Sequence, residues 1–147
     1  MIYFDAAFIA KCYLNEAGAD IIRGLARQQE TIASCELSRI EVDSVFRRHW
    51  RERRLTPEGV ELAQGGFVRD ESAGVWRWLP LNSGLVEAAR RTLERLPEEV
   101  VLRAGDALHL ACARQHGFAE IYSNDRRILE AARWFGLEGV NPLASPA

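Results

Sequence analysis

The chain has 147 residues, 48% hydrophobic and 27% charged, the make-up of one soluble globular domain long enough to bury a core. A formal net charge of −2 excludes polyanion binding by bulk charge alone, and no apolar run approaches the roughly 20 residues a membrane span needs. Cys12, Cys35 and Cys112 are far apart in apolar surroundings, odd in number and without zinc-type spacing, so they read as reduced core residues of a cytoplasmic protein.

In chain order, Ile2, Tyr3 and Phe4 form a short apolar strand that stops at Asp5, and residues 6–14 read as a largely buried helix. A buried strand feeding a helix is the opening unit of a parallel α/β sheet. The N-terminus carries an acid and no basic leader, unlike a signal peptide. A turn at 15–18 precedes an amphipathic helix over 19–29, a strand over 31–35 and a long helix over 37–54. Thr56-Pro57 is a helix restart, threonine as cap and proline at the first helical position, and this helix is expected to fade near Gly65-Gly66.

Residues 76–81 alternate as a third strand, with Pro80 near an edge, and Trp76 and Trp78 on one face suit core or dimer packing. Asn82 or Ser83 caps a helix to 96, and further helices are expected over 102–116 and 125–135. Between and after these last two lie strands over 119–123 and 137–140. The alternation predicts a single domain over 1–147, a three-layer α/β/α sandwich with a central parallel sheet and a loose tail from 142.

Four acids stand out by position: Asp5 after strand one, Glu41 on the helix after strand two, Asp106 at a helix start, and Asp125 after strand four. Parallel strands deliver Asp5 and Asp125 to the same sheet edge, where α/β proteins collect ligands. Glu41 shares a helix face with Leu37 and Val45, where an unpaired charge is costly and a divalent cation would remove the penalty. Clustered carboxylates suit a hard ion such as Mg²⁺ or Mn²⁺. The plainer reading of Asp5, Asp106 and Asp125 is helix N-capping, and Glu41 could equally reach Arg39 or Arg48.

The stretches Ile2-Tyr3-Phe4-Asp5, Ser38-Arg39-Ile40-Glu41, Arg103-Ala104-Gly105-Asp106-Ala107-Leu108-His109-Leu110-Ala111 and Ser123-Asn124-Asp125-Arg126-Arg127, in that order, resemble the PIN domain of VapC-type toxins. The resemblance implies a strand order 3-2-1-4-5 and a metal-dependent endoribonuclease with Mg²⁺ or Mn²⁺ held by Asp5, Glu41, Asp106 and Asp125. It also implies an RNA substrate, a cognate antitoxin protein and a homodimer. Many relatives carry a hydroxyl two residues after the first aspartate. This chain has Ala7 there, while Ser123 keeps a hydroxyl before the last acid.

On this reading Asp5 and Asp106 are the leading metal ligands, Asp125 completes the site directly or through water, and Glu41 either binds metal or orients the attacking water. His109, one turn after Asp106, reads as a structural histidine; contact with a carboxylate or substrate is its functional alternative. The run from Arg47 to Arg54 reads as a solvated helix face, with Arg51, Arg53 and Arg54 as the candidate RNA contacts. A PIN-like binding module with weakened chemistry is the competing function. A phosphotransfer domain fits poorly, because Ala7 stands where an aspartate-nucleophile phosphatase needs its second acid.

Overall fold

The computed structural model describes residues 1–145. Strands β1 (Ile2–Tyr3) and β2 (Ile32–Cys35) pair in parallel, Ile2 opposite Ile32 and Tyr3 opposite Ala33. Strand β3 (Trp76–Leu79) lies on the other side of β2, also parallel, from Ile32–Trp76 to Cys35–Leu79. A second parallel ladder joins β4 (Glu120–Tyr122) to β5 (Glu138–Val140). One parallel bridge, Phe4 to Tyr122, and a hydrogen bond from Asp5 N–H to the Tyr122 carbonyl at 3.2 Å connect the two ladders. The ladders therefore run 3-2-1 and 4-5, with a single bridge at the 1–4 step of the expected order.

The helices are α1 (Ala6–Lys11), α2 (Ala19–Arg27), α3 (Ser38–Arg51), α4 (Pro57–Ser72), α5 (Ser83–Leu93), α6 (Ala104–Gln115) and α7 (Arg126–Ala131), the last followed by a 3₁₀ turn, Ala132–Phe135. They cover both sheet faces, and the period-two alternation of the strands decides which side chain joins which core. Tyr3, Ala33, Cys35, Leu79 and Ile121 pack toward α5, α6 and α7. Phe4, Ile32 and Trp76 pack toward α1, α2, α3 and α4, with Trp78 and Tyr122 at the margin. Trp76 and Trp78 are thus packing residues. Trp76 Nε1 donates to Tyr13 Oη at 2.8 Å and Trp78 Nε1 to Glu71 Oε1 at 2.8 Å.

Two sequence expectations change. Helix α4 does not fade at Gly65-Gly66 but continues to Ser72. Buried Phe67 anchors it, and Tyr13 reaches across to donate to Asp70 Oδ2 at 2.7 Å. Gly66 is the point of close approach: a Cβ there would lie 3.1 Å from the Tyr13 ring. The loose tail expected from 142 is held for its first part. Leu143 packs beside Gly18, and its N–H donates to Asn141 Oδ1 at 3.0 Å. Residues 146 and 147 of that expectation lie outside the described residues.

Other features follow local chemistry. Thr56 caps α4 by accepting the Gly59 N–H at 3.0 Å, with Pro57 beginning the helix, and Asn82 rather than Ser83 caps α5. Lys11, the sole lysine, is buried and pairs with Glu16 at 2.6 Å, tying α1 to the turn that follows it. Cys35 and Cys112 are buried free thiols, and Cys12 is partly exposed. No helix of the described residues is long and apolar enough to cross a membrane.

Candidate active site

The site is built where β1 and β4 end side by side. Asp5 leaves β1 in an extended conformation and caps α1, its Oδ1 accepting the Phe8 N–H at 2.9 Å. Its Oδ2 accepts the hydroxyl of Ser123, a fully buried residue just past β4. The same Ser123 oxygen accepts the Asp125 N–H at 2.9 Å, so one hydroxyl ties two of the acids together. Asp125 in turn caps α7 by accepting the Arg127 N–H at 2.8 Å. Its other oxygen lies a loose 3.8 Å from the Arg127 guanidinium.

Asp106 and Glu41 come from helix first turns, those of α6 and α3. Glu41 Oε2 lies 2.6 Å from His109 Nε2, while Oε1 sits against Gly105, where a Cβ would come within 3.1 Å of it. Asp106 Oδ2 has no partner at all. It is the one buried side-chain nitrogen or oxygen among the described residues without a hydrogen bond.

The capping expected of Asp5 and Asp125 is present. One oxygen of each caps a helix, while the other oxygen of Asp5 is bonded by Ser123 and that of Asp125 lies near Arg127, so capping leaves a second oxygen on each. Asp106 lies inside its helix, where Arg103 is the N-cap residue.

The electrostatics follow from the burial of like charges. Asp5, only 3% exposed, is raised from its ordinary 3.8 to about 6. Burial is the main cause and Asp125 adds to it, opposed by hydrogen bonds from Ser123 and Phe8. Asp106 is raised as well, by burial first and then by the charges of Asp125 and Glu41. Burial pulls the His109 imidazole down, but its hydrogen bond to Glu41 and the charges of Glu41 and Asp5 outweigh this, so it stays protonated above the usual histidine range.

Charge coupling thus links Asp5 to Asp125, and Asp106 to both Asp125 and Glu41. They do not form a closed cage: among the described residues no three Asp, Glu, His or Cys side chains converge on one point. A hard divalent cation nevertheless fits this donor set. The unpartnered Asp106 oxygen and the buried Asp5 carboxyl, whose hydrogen bonds only partly offset its burial, are what such an ion would satisfy. Magnesium in particular keeps several waters and needs only one or two carboxylates.

The basic run lies elsewhere. Arg51 ends α3, about 15 Å along the helix from Glu41 at 1.5 Å per residue. Arg53 has a left-handed backbone (φ 58°), and Arg54 is ion-paired to Glu52. These arginines are not brought to the acids. Sequence reasoning missed Tyr3 and Gly105. The available signal for Gly105 was a glycine in a helical first turn directly before an acid.

Comparison with known proteins places the fold. No curated protein matches the sequence. Among solved structures, one similar fold is the Mycobacterium tuberculosis VapC20 toxin, which cleaves the sarcin–ricin loop. It is 19% identical at a TM-score of 0.70, over 89% of this chain and 95% of that one. Another is FitAB bound to an IR36 DNA fragment, 13% identical at a TM-score of 0.69, over 100% of this chain and 99% of the other. The PIN domain family model matches residues 2–133, a span containing all four acids, and the chain belongs to the PIN domain family.

Proposed function

We propose that the chain is a Mg²⁺- or Mn²⁺-dependent endoribonuclease that hydrolyses RNA phosphodiester bonds. We further propose that it is the toxin of a type II toxin–antitoxin pair, a cytoplasmic homodimer neutralised by a cognate antitoxin protein. The observation that carries the chemistry is the buried, partnerless Oδ2 of Asp106 together with Asp5, both carboxyls being raised by burial first and by neighbouring acids second. Such an arrangement is costly without a cation. The similarity in fold to a toxin that cleaves the sarcin–ricin loop supports RNA as the substrate.

Asp5, Asp106 and Asp125 would hold the cation, which when bound supplies an activated water and charge compensation for in-line attack at phosphorus. Ser123 keeps Asp5 ionised and oriented. Glu41, anchored at Oε2 by His109, presents Oε1 either to the cation or to the water as its base. Nothing in this scheme needs a lysine or a serine nucleophile.

The binding-module alternative draws on Ala7, which lacks the hydroxyl many relatives carry. Ser123 supplies a hydroxyl to Asp5 from the other strand, which favours retained chemistry. The deciding experiment incubates purified protein with a structured RNA, with and without Mg²⁺ or Mn²⁺, beside Asp106→Asn. Cleavage that needs the metal and is lost in the variant is expected. Equal cleavage in excess chelator, or by the variant, would overturn the proposal.

A further inference from the structure

Behind the acidic edge runs a file of hydrogen bonds that the carboxylates alone do not explain. The N–H of Cys35, the last residue of β2, donates to Tyr3 Oη at 3.0 Å. Tyr3 Oη lies 2.9 Å from His109 Nδ1, and His109 Nε2 lies 2.6 Å from Glu41 Oε2. Tyr3 is fully buried and His109 only 2% exposed, so these contacts replace solvent.

The two ends of the file fix two of its protons. A backbone N–H can only donate, and an ionised Glu41 can only accept. Nε2 must therefore carry a proton, since a bare nitrogen would set its lone pair against the carboxylate. Nδ1 donates to Tyr3 Oη when the ring is charged and accepts the Tyr3 hydroxyl proton when it is neutral. In either form Tyr3 Oη accepts the Cys35 N–H and Nε2–H donates to Glu41 Oε2.

The second Glu41 oxygen is placed by a missing side chain. Oε1 occupies the space a Cβ on Gly105 would crowd at 3.1 Å, beside the start of α6 and next in sequence to Asp106. One oxygen is gripped and the other is let in.

Resting on the reading of the acids as a divalent-cation site, we propose that His109, backed by Tyr3, is the positioning residue of Glu41. It holds Oε2 so that Oε1, over Gly105, is the oxygen offered to the cation. Fixing a ligand side chain from behind in this way is what outer contacts do at metal sites, and losing them typically weakens binding about 10–100-fold.

The test titrates Mn²⁺ alone into the full chain by calorimetry and records imidazole ¹⁵N shifts by NMR, with circular dichroism to verify folding. His109→Leu keeps bulk without a donor. His109→Gln returns an N–H at the Nε2 position. Tyr3→Phe removes only the hydroxyl, and Gly105→Ala adds the crowding Cβ. Affinity is expected to fall about tenfold or more in His109→Leu and Gly105→Ala, to fall about threefold in Tyr3→Phe, and to stay within about threefold of wild type in His109→Gln. The wild-type spectrum should show Nε2 protonated, and Tyr3→Phe should move the Nδ1 resonance.

Unchanged affinity in folded His109→Leu, or equal losses in His109→Leu and His109→Gln, would overturn the positioning role. Should His109→Leu fail to fold, Tyr3→Phe decides, and wild-type affinity with unmoved shifts would overturn it. A wild-type protein that binds no Mn²⁺ overturns the metal reading instead. The positioning of Glu41 then stands if Glu41→Gln moves the His109 shifts and falls if it does not.

Discussion

The Ser123 hydroxyl donates to the Asp5 carboxylate across 118 residues of sequence and accepts the Asp125 N–H with the same oxygen. It opposes the burial that raises Asp5 to about 6. Ser123→Ala should therefore raise Asp5 further. A hydrogen bond to a charged group is worth about 1.5–3 kcal/mol, so the acid limb of metal binding should move up by about 1–2 pH units. A ¹³C titration of the Asp5 carboxyl checks this directly, and an unmoved midpoint would deny the serine its role.

Asp5 also makes a stability prediction. Its folded value lies above its ordinary 3.8, so its ionisation opposes folding. The contribution is fully favourable below about pH 4 and is lost as pH rises through about 6, for about 3 kcal/mol in all. Asp5→Asn keeps the cap and the Ser123 contact but cannot ionise. Without added metal, the variant should be more stable than wild type at pH 8 by up to that amount, with the gain vanishing near pH 4. Added Mg²⁺ should raise the wild-type melting temperature and leave the variant's unchanged. Urea unfolding at the two pH values provides the comparison.

The acidic edge is legible in the sequence because parallel strands all end on one side. Once strands one and four are recognised, Asp5 and Asp125 come to the same edge, and Glu41 stands in the first turn of the helix after strand two; Asp106 opens the helix that precedes strand four. The file from Cys35 through Tyr3 and His109 to Glu41 is not legible. It depends on how α3 and α6 sit over the end of β2, which residue spacing does not encode. His109 reads as structural from sequence, and it is buried as that reading requires. Its two ring contacts give it a direction the sequence could not supply.

The glycine pair in α4 carries the same lesson into a measurable form. Gly65-Gly66 reads locally as a helix stop, since each glycine weakens a helix interior. Packing overrides this, and the two residues are not equivalent. A Cβ on Gly65 meets nothing within 4 Å, whereas one on Gly66 meets the Tyr13 ring at 3.1 Å. That ring cannot easily give way, because its hydroxyl is bonded to both Asp70 and Trp76. Gly65→Ala should stabilise the fold by about 0.5–1 kcal/mol. Gly66→Ala should destabilise it by about 1–3 kcal/mol. Equal effects in urea unfolding would mean that α4 is not held against Tyr13 as described.

The arginines at the end of α3 can be judged by salt. Arg54 is already paired with Glu52, while Arg51 and Arg53 have no ion pair among the described residues. If the helix end follows the RNA backbone, the two unpaired residues should carry most of the electrostatic contribution. Each phosphate contact on a single strand contributes about −0.7 to the slope of log affinity against log salt, so Arg51→Gln with Arg53→Gln should flatten that slope by about 1.4. Adding Arg54→Gln should change it by less than half as much again, because that guanidinium is partly neutralised before RNA arrives. Binding is best measured with Asp106→Asn protein so that the RNA stays intact. A slope unchanged by the double substitution would make this run a solvated surface and leave RNA affinity to the acidic edge and its cation.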